Sequence, residues 1–203
     1  MDPATTRRSA YAVLALVCAT GLTLNLISTI TAEEPRALGT RIVRFFSYFT
    51  IESNILVLAV AVLVALGTVR GAGFALAHLD ALIGITVTGI VFATILAPDQ
   101  EHIGLSSVLL HYVSPPLALV VWLVLGPWPA RSWRIIAPAL LWPLAYLLWT
   151  VVHGAVSDWY PYGFIDAGDL GAGRMLRNAL LVLLFGVALG LVVIAVDRRR
   201  ARG

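Results

Sequence analysis

"FFSYFTIESNILVLAVAVLVAL", residues 45–66, is the most telling run in the chain. It is long enough to cross the hydrocarbon core of a bilayer as a helix, which takes about 20 apolar residues. Yet Ser47, Thr50, Glu52, Ser53 and Asn54 fall within about two turns of its start. A polar group left unpaired in hydrocarbon costs several kcal/mol. These side chains therefore require partners, either in the preceding turn of their own helix, as Ser and Thr often find, or on other helices of a bundle of spans.

The rest of the chain supplies the other spans. The 203 residues are 60% hydrophobic and only 12% charged, against about 25% charged in soluble domains. Mean hydropathy is +0.91. Apolar runs fall near 10–32, 43–69, 75–97, 105–126, 134–154 and 174–196, which predicts an all-α, six-transmembrane-helix bundle forming a single domain. The first run follows Arg7 and Arg8 but exceeds a signal peptide's apolar region and lacks a small-x-small cleavage site, so it reads as an uncleaved helix. The connections are short except "SDWYPYGFIDAGDLGAG", the one loop long enough for structure of its own.

All basic side chains are arginine. With the N-terminus inside, Arg7, Arg8, Arg70, Arg131, Arg134, Arg198, Arg199, Arg200 and Arg202 lie on the inner side. Arg36, Arg41, Arg44, Arg174 and Arg177 lie on the outer side. The excess predicts a multi-pass protein of the cell membrane with both termini cytoplasmic. Acids, Glu101 among them, follow the opposite pattern. The net charge of +3 sits at termini and loops, so it is a topology signal and not a nucleic-acid surface. Cys18 is the single cysteine, which excludes an intrachain disulfide.

Counting about 1.5 Å per residue from the outer mouths places Thr50 about 8 Å and His111 about 9 Å deep. Ser47, Thr50 and Asn54 share one helical arc, as do Ser107, His111 and Ser114, and Tyr146, Thr150 and His153. Arg174, Arg177 and Asn178 open the last span, and Glu52 points to the side away from Ser47. The inner halves, such as "LVLAVAVLVAL", are almost bare of polar groups. Stripes at one depth predict a shared pocket opening to the outer side. A hydroxyl beside an imidazole is the minimum kit for acyl transfer, since Ser or Thr needs a base to take its proton. Asn54, His153, Tyr146 or Arg177 can serve as oxyanion donors, and the outer arginines can hold a carboxylate or phosphate. His102, His111 and His153 raise the metal alternative, but no HExxH or paired-Cys motif accompanies them, so no metal and no cofactor is expected.

Three stretches, "RFFSYFTIESNILV", "HYVSPP" and "LLWTVVHGAVSDWYPYGF", give the chain a resemblance along essentially its whole length. It resembles the androgen-induced and androgen-dependent six-span membrane proteins, and more closely their prokaryotic six-span relatives. The animal members are threonine hydrolases that cleave fatty-acid esters of hydroxy fatty acids with an intramembrane threonine and histidine. The resemblance carries the histidine onto His111. Setting Asn54 against the family's downstream glutamine puts Ser47 at the nucleophile position; threonine identity and depth favour Thr50. The resemblance thus implies an intramembrane Thr/Ser–His hydrolase acting on a lipid-like ester, with membrane lipids as surroundings. The rivals are a non-catalytic lipid-binding or small-molecule transport protein, and a polar layer that only locks helices together.

Overall fold

The computed structural model describes residues 2–69, 71–99 and 102–202. Arg70 and Glu101, both used in the charge count, lie outside the described residues. The chain is an all-α bundle. Among the described residues, six helices are long and apolar enough to cross a membrane, which makes this a multi-pass membrane protein. They are α1 (Pro3–Thr31), α3 (Phe49–Leu66), α4 (Gly71–Leu96), α5 (Leu105–Leu125), α6 (Trp133–Ser157) and α7 (Ala172–Arg200). A short seventh element, α2 (Leu38–Phe46), leads into α3.

The run expected as one span over 43–69 is therefore two helices, and the break has a local cause. Ser47 ends α2 in a near-helical conformation, and its Oγ donates to the Val43 carbonyl at 2.8 Å, bonding back to its own last turn. Tyr48 then turns extended, and α3 starts at Phe49. A helix end inside the membrane needs outside partners for its open groups. Two aromatic residues of α6 supply them: Tyr146 donates its hydroxyl to the Ser47 carbonyl (3.2 Å), and Trp149 Nε1 donates to Ser47 Oγ (2.9 Å).

Arginines close other helix ends. Arg41 reaches the Thr29 and Ala32 carbonyls at the end of α1. Arg8 donates to the Ala65 and Leu66 carbonyls at the end of α3 (2.8 and 3.0 Å), where Gly67 takes the left-handed conformation that stops the helix. On the same side of the bundle Asp197, fully buried, accepts from Trp122 Nε1 (2.9 Å) and the Ala130 backbone N–H (2.8 Å), tying α5, the following loop and α7 together.

The tight core is α1, α3, α4 and α5, packed through Leu14, Cys18, Val57, Ala61, Ile85 and Ala118. Within its most apolar window α4 has 56% of its residues buried and α6 only 11%, so α4 is the axis and α6 a flank. α6 meets α3 through long aromatic side chains: Trp142 stacks on Phe49 (4.8 Å between centroids) and Tyr146 meets the same ring edge-on. A space is left between α4, α6 and α7. The half bearing the chain ends is also less bare than its sequence implied, since His78, Asp80 and Asp197 are all buried there or near mid-span.

Candidate functional site

Wide helical turns shape the site. The proline pair in "HYVSPP" lacks N–H donors, so carbonyls of the preceding turn lose their helical partners. Residues Val108–Val113 relax into a π-turn, and Phe92–Leu96 of α4 does likewise alongside. Turns of this kind recur at functional sites because they re-aim side chains. Here the imidazole of His111 is stacked on the ring of Phe92, with centroids 3.7 Å apart and planes 17° apart. Gly89 permits the approach, since a Cβ there would stand 2.8 Å from Pro115 Cβ.

The ring is fixed at both nitrogens. His111 Nδ1 lies 3.0 Å from the Ser107 carbonyl, which can only accept, so Nδ1 carries the proton in the neutral ring. Nε2 then presents its lone pair to Thr50 Oγ1, 3.1 Å away. Thr50 is the donor in that hydrogen bond, and the distance is within the reach expected of a general base.

Thr50 stands in the first turn of α3, a position created by the break at Ser47–Tyr48. The Tyr48 carbonyl takes the N–H groups of Ile51 and Glu52. The Thr50 N–H instead donates to the Tyr162 hydroxyl (3.3 Å), which also lies 3.5 Å from Thr50 Oγ1. The helix start thus directs a backbone donor and the positive end of the α3 dipole toward this hydroxyl. Tyr162 belongs to the long loop, outside the spans. Burial pushes its phenol up to about 12, partly countered by the hydrogen bonds to Thr50, so it keeps its proton at neutral pH.

Thr50 and Tyr162 line one end of a cavity of about 120 Å³, roughly ten times what one water needs. Its walls come from α4, α6 and α7, through residues such as Val87, Val91, Leu144, Leu147, Val182 and Leu183. A carboxyl, Asp80, lines it as well. The lining is otherwise overwhelmingly apolar, the character of a site for hydrocarbon.

Other residues expected at the site have different partners. Ser47 spends its hydroxyl on Val43 and Trp149 and does not hydrogen-bond His111. Its shared arc with Thr50 presumed a continuous helix, which the break removes. Asn54 is fully buried; its Nδ2 donates to the Thr50 and Leu110 carbonyls (2.9 and 3.2 Å), and its Oδ1 accepts from Ser114 Oγ (2.7 Å). It staples α3 to the opened turn of α5, so it positions the pair and has no donor left for an oxyanion. Glu52 accepts from Trp142 Nε1 (2.8 Å) across to α6. Tyr146 lines the cavity but gives its hydroxyl to the Ser47 carbonyl. Thr150 is buried and its Oγ1 has no partner among the described residues. His153 stacks on Trp149 with Ser157 Oγ near its Nδ1 (3.5 Å). Arg174 and Arg177 are exposed, and Arg177 bonds Asn178. Asn178 Nδ2 holds the Phe164 carbonyl (2.8 Å), anchoring the loop that carries Tyr162. No family model, curated protein or solved structure matches the chain.

Proposed function

We propose that the protein is an integral membrane hydrolase that cleaves lipid-like esters through Thr50 and His111. The observation that carries this is the 3.1 Å contact between Thr50 Oγ1 and the unprotonated nitrogen of His111, beside an apolar cavity. In the first step Thr50 Oγ1 attacks the ester carbonyl carbon and its proton passes to His111 Nε2. The negative oxygen that forms is stabilised by the Tyr162 hydroxyl and the open end of α3. Collapse breaks the ester C–O bond, and the leaving alcohol takes the proton from Nε2. A water molecule, deprotonated by the same nitrogen, then releases the acid and restores Thr50. The cavity takes the acyl chain.

The resemblance to the androgen-induced six-span hydrolases supports the same assignment. It belongs with a site in the half of the bundle away from the chain ends, hence facing the outer leaflet of the cell membrane if both termini are cytoplasmic. The test is covalent labelling by a fluorophosphonate probe in detergent or nanodiscs. Wild type and Ser47→Ala should label; Thr50→Ala should not, and His111→Ala should label 10²–10⁴-fold more slowly, about the contribution of a general base. Undiminished labelling of Thr50→Ala and His111→Ala, both folded, would remove the dyad.

A further inference from the structure

The cavity lining holds a carboxyl that ester cleavage leaves unused. Asp80 is 8% exposed, lines the cavity, and makes no hydrogen bond among the described residues. Its neighbours on the lining face of α4 follow at Ile83, Val87 and Val91, one continuous stripe. Phe92, which stacks on His111, lies 12 residues further along, about 18 Å up the helix. That distance slightly exceeds the thickness of one leaflet, about 15 Å. Asp80 therefore stands at the far end from the Thr50–His111 pair, where a chain of membrane length would finish. Ile83 and Ile136 line the cavity nearby, each 3.0 Å from where a Cβ on Gly190 would stand.

A carboxyl in an otherwise apolar cavity is costly unless something pairs with it. A hydroxyl is the group that fits: it both donates and accepts, so it pairs with a carboxyl in either protonation state. An ammonium fits less well, since it would carry its own desolvation cost into the same apolar space. We infer that Asp80 is a specificity residue that selects acyl chains bearing a hydroxyl near their far end. The inference rests on the hydrolase reading for its turnover arm only.

The experiment compares esters of an ω-hydroxy long-chain acid and of the matching unsubstituted acid, in wild type, Asp80→Asn and Asp80→Leu. Wild type should prefer the hydroxylated chain by about tenfold or more in kcat/KM. Asp80→Asn should keep most of that preference, and Asp80→Leu should abolish or reverse it. A ratio near one in wild type, or the same ratio in Asp80→Leu, overturns the inference. A second arm measures equilibrium binding of the two radiolabelled free acids to Thr50→Ala and to Thr50→Ala/Asp80→Leu. A preference that depends on Asp80 there, with no turnover in wild type, upholds the binding site and sinks the hydrolase. Turnover without any preference does the reverse.

Discussion

Gly89→Ala tests whether helix approach at the π-turns is what holds the imidazole in place. The added methyl would lie 2.8 Å from Pro115 Cβ and 3.0 Å from its Cγ, and 3.5 Å from the His111 carbonyl. Carbon atoms rest about 3.5–4.0 Å apart, so the helices must separate by about 0.5–1 Å. The proline ring cannot rotate out of the way, and Pro115 is itself buried, so the displacement falls on the backbone of α5 one turn from His111. Overpacking of this kind costs about 1–3 kcal/mol of stability. A misplacement near 1 Å costs about 10²-fold in rate, equal to about 2.7 kcal/mol of transition-state stabilisation. The assay is kcat/KM on a soluble chromogenic ester together with a thermal melt in the same detergent. Gly104→Ala is the matched control: it precedes the same helix, has φ −70°, and its added methyl meets nothing within 4 Å. If Gly89→Ala melts and turns over like Gly104→Ala, close packing at Pro115 does not position the ring and the account of the π-turn is wrong.

Other consequences are equally concrete. Tyr162→Phe should lower kcat by about 10²-fold with little change in KM, the signature of a donor used only in the transition state. The same residue sets a pH dependence. An unfolded chain's phenol releases its proton near 10 and the folded one only at about 12. Stability should therefore fall as pH rises through that window, because the unfolded state then binds fewer protons. Tyr162→Phe should lack that component when unfolding is followed from pH 9 to 12. Asp197→Ala leaves Trp122 Nε1 and the Ala130 N–H without their acceptor, so unfolding should cost about 3 kcal/mol less, with activity per folded molecule unchanged; equal stability would show that water satisfies both donors.

The six spans were legible because apolar runs of that length admit one structure in hydrocarbon. Their ends moved by a few residues, as at Pro3 for 10 and Arg200 for 196. Depth counting put Thr50 and His111 at one level, and the rise per residue suffices for that. It could not reveal that α3 starts at Phe49, because Phe45 and Phe46 continue the apolar run without a break; the broken register is why Ser47 and Thr50 part company. Arcs on a helical wheel give no facing either: Asn54 and Ser114 lie on the stripes of Thr50 and His111 yet point at each other between helices. Tyr162 carried no period at all, being in a loop, although the length of that loop was a signal. Asp80 and His78 leave no mark on the apolar composition of α4, where a single charge weighs little among so many hydrocarbon neighbours.

A π-turn houses one residue more than an ordinary turn, and that surplus is removable. Deleting a single amino acid between Val108 and Val113 would give α5 a regular pitch and a tidier fit to the bilayer. It would also swing everything on one side of the cut by about 100° relative to the other, carrying the imidazole off its aromatic seat. The more ideal transmembrane segment would be the inert one, so the irregularity is where stability of the span and reactivity of the protein pull in opposite directions.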